Sequence, residues 1–240
     1  MARIGLIQTR GIGDIIIALP IATAFARRGD TVFWPIDAAF VASFRRAAPW
    51  VEFLPVPSKA QFASPRDYYL GIPEAELGAR GCDRSFLLYS ALRLEGVRPA
   101  NEKFADYLKF DEYKYAVTGI PFREKWNLEI ERDPGRERRL HESLGIRRPY
   151  ICVHRGGSDL EVDLKIPPDW QRDFQIVEID EKTDSPFDWI YTLENAAKLV
   201  LVDSCISNLV EQLNLPNEKY LLLRSPGAFT PVMSNAWQFI

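Results

Sequence analysis

The sequence is poor in residues that staple a fold or ligate a metal. Its 240 residues hold three cysteines (Cys82, Cys152, Cys205) and two histidines (His141, His154), scattered with no CxxC pair and no metal-ligand spacing. A disulfide framework and a structural metal are thereby excluded as organising devices, and a reducing compartment is expected. Charge of one sign is also missing as a block: 30 Lys and Arg against 33 Asp and Glu leave a net charge of −3. The basic clusters Arg45-Arg46, Arg136 with Arg138-Arg139, and Arg147-Arg148 read as solvated helix faces, so there is no strong nucleic-acid signal. No uncharged apolar run nears the roughly 20 residues of a membrane span. The apolar N-terminus is broken by Gln8, Thr9, Arg10 and Asp14. A signal peptide needs a continuous apolar core there, so a cytoplasmic protein is expected. Two nucleotide signatures are lacking as well. GxGxxG would need glycine where Ile16 stands, and no GxxxxGK[ST] loop occurs, which weighs against an NAD-type enzyme and a P-loop enzyme.

What is present is ordinary globular material, 47% apolar and 26% charged. Arg3 to Gln8 reads as a buried strand and Ile15 to Arg28 as a helix, with Gly11 and Gly13 in the turn between them. Thr31 to Ile36, Ala38 to Arg46 and Val51 to Leu54 continue as strand, helix and strand, the last ended by Pro55. Ser85 to Glu95 reads either as a strand leading into a helix or as helix throughout. Asn101 to Arg132 is an aromatic and charged stretch, of which Phe104 to Trp126 reads either as buried packing or as the lining of a cleft, and Asp133-Pro134-Gly135 is a turn. Beyond it the alternation resumes: helix Arg136 to Leu144, strand Tyr150 to His154, strand Phe174 to Ile179, helix Pro186 to Ala197, strand Leu199 to Val202, helix Ser204 to Leu213. Alternation of this kind predicts an α/β protein of two Rossmann-like domains with parallel sheets facing a cleft, residues 1–120 and 121–240.

Three constellations carry candidate chemistry. Arg10-Gly11-Ile12-Gly13-Asp14 closes the first strand, where glycines let a ligand approach the backbone near a helix N-terminus; Arg10, Gly11 and Gly13 form a candidate acceptor or phosphate loop. Asp14 there is either a helix N-cap or a functional carboxylate. Asp203 and Ser204, followed by Cys205 and Asn208, stand between a strand and a helix and either cap the helix or present polar groups to sugar hydroxyls and phosphate. Arg155-Gly156-Gly157-Ser158 with the downstream Lys165 suits a pyrophosphate, or is a plain surface loop.

IGLIQTRGIGDIIIALPIATAFARRG, with Gly13-Asp14 and Pro20, resembles the opening of the ADP-heptose:lipopolysaccharide heptosyltransferases, glycosyltransferase family nine. YICVHRGGS followed by KIPPDW resembles that family's second-domain opening. Asp203-Ser204-Cys205-Ile206-Ser207-Asn208 is similar to its Asp-Thr/Ser-Gly motif, with Cys205 in place of the Gly and Asn208 in place of a His. The resemblance implies a two-domain GT-B glycosyltransferase of hexosyl- or heptosyltransferase type, metal-independent, without cofactor, and inverting. It implies a nucleotide-sugar donor held by the second domain, through Arg155, Gly156, Gly157, Ser158, Lys165, Asp203, Ser204, Cys205 and Asn208. The first domain is then the acceptor side, for a glycan, lipid-linked or other hydroxyl acceptor, with Asp14 as general base and peripheral attachment at the inner membrane face as one setting. The alternative is a degenerate relative, a non-catalytic nucleotide or nucleotide-sugar binding module.

Overall fold

The strand built from Arg3–Ile7 (β1) is apolar at every residue after the first and buried on both faces, as a central parallel strand requires. The structure is a computed structural model that describes residues 1–62, 64–90, 102–157, 161–224, 230–233 and 236–240. It divides into two units, Met1–Glu131 with 227–232, and Arg132–Pro226 with Met233–Ile240. The first division falls later than the 120/121 boundary read from sequence, because the turn of helix at Phe122–Trp126 packs on the first unit through Tyr115.

In the first unit β1 is followed by α1 (Ile12–Arg27), β2 (Thr31–Asp37), α2 (Ala38–Ala47), β3 (Val51–Val56), α3 (Ile72–Ala79), β4 (Arg84–Leu87), α4 (Glu102–Tyr107) and α5 (Phe110–Thr118). The four strands are parallel in the order β3-β2-β1-β4. Pro55 lies within β3 rather than ending it; β3 is an edge strand, so a missing N–H costs the ladder little. Ser85 to Glu95 begins as strand β4, and residues 91–101 lie outside the described residues.

The aromatic and charged stretch becomes α4, α5 and the Phe122–Trp126 turn, packed inward by Tyr113 and Tyr115. Buried there is an ion pair, Lys125 Nζ to Asp111 Oδ2 at 2.7 Å, with both side chains fully enclosed. Asp111 Oδ2 also accepts the N–H of Val232 at 2.8 Å, and Lys125 donates to the Val232 carbonyl, so the returning segment is fastened to this unit. Removing one partner of such a pair typically costs about 3–5 kcal/mol.

The second unit contains α6 (Pro134–Ser143), β5 (Tyr150–His154), α7 (Pro168–Asp173), β6 (Gln175–Glu178), α8 (Ile190–Glu194), β7 (Lys198–Val202), α9 (Cys205–Gln212), β8 (Glu218–Leu222) and β9 (Trp237–Phe239). Its sheet is again parallel, in the order β6-β5-β7-β8-β9. One face packs Trp189, Leu193, Ile206 and Val210 against Cys152, Leu199 and Leu201; the other packs Leu164, Ile166 and Trp170 against Val153, Val200 and Val202. The expected helix over Pro186 to Ala197 is a 3-10 turn at Pro186–Trp189 leading into the short α8. The α/β class with two parallel-sheet, Rossmann-like units agrees with the sequence reading.

Candidate functional site

Ligands of open α/β sheets bind beyond the carboxyl ends of the strands, and in both units the polar residues singled out in the sequence collect there. In the first unit β1 runs into Gln8, Thr9, Arg10 and Gly11. Gly11 is the N-cap of α1 at φ 86°, and Ile15 N–H bonds to its carbonyl at 2.9 Å. The helix thus begins at Ile12, three residues before the sequence boundary, which moves Gly13 and Asp14 from the turn into its first turn. Asp14 is not the N-cap; its carboxylate stands where the helix end favours negative charge.

Lys114 of α5 meets that carboxylate, Nζ to Asp14 Oδ1, at 2.9 Å. The loop backbone is held by Tyr89, whose hydroxyl accepts the N–H of Thr9 at 2.8 Å and of Arg10 at 3.2 Å. Burial pushes the Tyr89 phenol well above its ordinary range, so it serves as a neutral anchor. Arg10 itself is exposed.

In the second unit β5 and β7 are neighbours, and their ends bring His154 to Ser204: His154 Nδ1 lies 2.9 Å from Ser204 Oγ. Burial lowers the imidazole to about 4, with the nearby Arg224 cation acting in the same direction. Ser204 is the N-cap of α9, and its N–H donates to Ser207 Oγ at 2.9 Å, which steadies the first turn. Asp203 is buried, with its N–H on the Leu222 carbonyl at 3.0 Å. Cys205 opens α9, yet burial pushes its thiol up to about 11, above the lowering from its own and Ile206's N–H and from Arg224. It is therefore a poor nucleophile. Asn208, one turn further, is buried, with Oδ1 making no hydrogen bond among the described residues.

Arg224, just past β8, was not singled out in the sequence. Its guanidinium fills the space that a Cβ on Gly157 would occupy, and its Nε is buried without a hydrogen-bond partner among the described residues. Gly157 is glycine for this close approach, since its φ is not in the left-handed region. The Arg224 charge acts on both His154 and Cys205 at the amino end of α9, and a cation beside a helix N-terminus can hold an anion.

Arg155 is engaged elsewhere, on Glu178 at 3.1 Å and on the Leu164 carbonyl. With Glu161, Lys165, Gln171 and Glu178 it lines an open cavity of about 870 Å³. The structure thus divides the Arg155-to-Lys165 candidates: Gly157 belongs with Arg224, while Arg155 and the exposed Lys165 belong to the cavity. Gly156 bridges to Glu161 at its rim, and Ser158 lies outside the described residues. Among the described residues no group of three His, Cys, Asp or Glu side chains is placed to hold a metal ion, and no helix is long and apolar enough to cross a membrane.

No protein-family model and no curated protein sequence matches this chain. Solved structures do. A family 9 glycosyl transferase from Veillonella parvula superposes over 100% of this chain and 86% of its own, at 14% identity and a TM-score of 0.65. The E. coli heptosyltransferase WaaC, solved with ADP-2-deoxy-2-fluoro heptose, covers 99% of this chain and 92% of its own at 15% identity and a TM-score of 0.54. TibC from enterotoxigenic E. coli, described as an iron-containing dodecameric glycosyltransferase, covers 92% of this chain at 12% identity and a TM-score of 0.53; the match spans 57% of TibC. At these identities the likeness is one of fold, and the fold this chain shares is that of the family 9 glycosyltransferases.

Proposed function

We propose that the chain transfers a sugar from a nucleotide-sugar donor to an acceptor hydroxyl, with inversion. The observation that carries this reading is the arrangement at the start of α9, where the Arg224 guanidinium lies against Gly157 with a buried Nε that no described residue satisfies. In this reading it binds the donor diphosphate together with Ser204 and the α9 amides, and Asp203 orients the donor sugar hydroxyls. The cavity lined by Arg155 and Lys165 takes the nucleoside end; its size suits such a ligand.

Asp14 is the general base. Its carboxylate takes the proton of the acceptor hydroxyl as that oxygen attacks the anomeric carbon, and the bond from that carbon to the diphosphate oxygen breaks. The leaving diphosphate carries away the electron pair, and its charge is met by Arg224 and the helix amides. The fold shared with the E. coli heptosyltransferase WaaC, which is also solved with ADP, supports an ADP-sugar as the first donor to try. A cytoplasmic site of action goes with such a donor.

A second reading is a nucleotide-binding module without transfer, favoured by Asn208 Oδ1, which has no hydrogen-bond partner among the described residues, and by the protonated Cys205 in the motif. One experiment separates the two. Thermal shift against ADP, UDP, GDP and CDP, followed by ADP-heptose, should give a clear rise in Tm with one diphosphate; ligand at 100 times Kd adds about 2.7 kcal/mol. Release of that diphosphate from its sugar conjugate supports transferase chemistry, and binding without release supports the module. No response to any diphosphate contradicts both.

A further inference from the structure

The Lys114 ammonium is enclosed, with its residue 2% exposed; it donates to Gln8 Oε1 at 2.8 Å and to the Leu88 carbonyl at 3.1 Å, and it forms an ion pair with Asp14 Oδ1 at 2.9 Å. Its three partners come from the end of β1, the first turn of α1 and the end of β4. Gln8 extends the network by donating from Nε2 to the Arg10 carbonyl at 2.7 Å. One buried cation therefore ties the loop after β1 to the first turn of α1, which carries Asp14.

We propose that Lys114 is a positioning residue that immobilises Asp14 Oδ1 and leaves Oδ2 as the atom that receives the acceptor proton. Oδ2 faces Gly11, where a Cβ would come within 2.7 Å of it, so the missing side chain keeps that approach open. Asp14 is partly exposed while Lys114 is not, which gives the pair one solvent-facing member. Lys114 thus acts on the reaction only through Asp14. This inference rests on Asp14 being the base.

The test measures nucleoside diphosphate release from ADP-heptose, UDP-glucose and GDP-mannose by wild type, Lys114→Met, Asp14→Asn and the double variant. On the nucleotide sugar turned over fastest, Lys114→Met should lower kcat by about 10- to 100-fold, the scale of a misplaced reacting group, with KM and diphosphate affinity unchanged. In the Asp14→Asn background it should lower kcat no further. Lys114→Gln, which keeps an N–H donor in a similar volume, provides the same comparison if the methionine variant does not fold. An unchanged kcat in a folded Lys114 variant, or losses that multiply in the double variant, overturns the positioning role while leaving the base intact. Full activity in Asp14→Asn, or no release by wild type from any of the three sugars, overturns the base assignment and this inference with it.

Discussion

His154 and Ser204, fifty positions apart in sequence, are joined by a 2.9 Å contact between Nδ1 and Oγ, because β5 and β7 are adjacent and both end at the same edge of the sheet. The imidazole is neutral near pH 7, with its pKa lowered from 6.5 to about 4 by burial and by Arg224. The unfolded chain binds a proton at 6.5 that the folded chain takes up only near 4, so this group's contribution to stability falls as pH drops through that window. Urea unfolding at pH 7 and pH 5 should show wild type losing about 2 kcal/mol more than His154→Asn over that interval. Equal losses would mean that the imidazole is not buried as described.

Arg224 and Gly157 form a pair in which one residue's size sets the other's position. Arg224→Met should weaken binding of the preferred nucleoside diphosphate by at least about tenfold, the scale of a lost charge-assisted hydrogen bond. Gly157→Ala should reproduce part of that loss, since the new methyl group displaces the guanidinium, and should move Tm little because a side-chain end can yield. Calorimetric titration checks both. Undiminished affinity in Arg224→Met would remove this arginine from the donor site.

The opening strand, the glycine turn, the alternation of strands and helices and the Ser204 cap were legible in the sequence because each is local: an apolar run, a glycine pair, a polar residue ahead of a helix. The start of α1 was misplaced because Gly13 and Asp14 have loop character, whereas Gly11 at φ 86° makes the turn and leaves the next residues free to be helical. Strands β8 and β9 were not read as strands. Trp237–Phe239 is too short to show a period, and Glu218–Leu222 mixes Glu and Lys into its buried pattern. The partners that matter most were out of reach of pattern. Lys114 lies in an aromatic and charged stretch and meets Asp14 only because α5 packs on α1, through contacts such as Tyr115 Oη to the Ile17 carbonyl. Arg224 acquires meaning only beside Gly157.

Gly11 combines a left-handed backbone with proximity to Asp14, so Gly11→Ala should act twice. The φ of 86° costs an L-residue about 1–2 kcal/mol, and the new Cβ, 2.7 Å from Asp14 Oδ2, pushes the carboxylate aside. A drop in Tm together with a fall in kcat, and unchanged diphosphate binding, is expected from melting curves and steady-state kinetics. A variant that loses stability but keeps kcat would mean that Oδ2 is not where the acceptor hydroxyl reacts.

The central claim is that Asp14 is the base of a sugar transfer, and Asp14→Asn tests it most directly because the amide keeps the shape and removes the proton acceptor. On the nucleotide sugar that wild type uses, kcat should fall by about 10²–10⁴-fold, while diphosphate affinity stays at the wild-type value. A variant that turns over at the wild-type rate would contradict the account and leave Asp14 as a structural partner of Lys114.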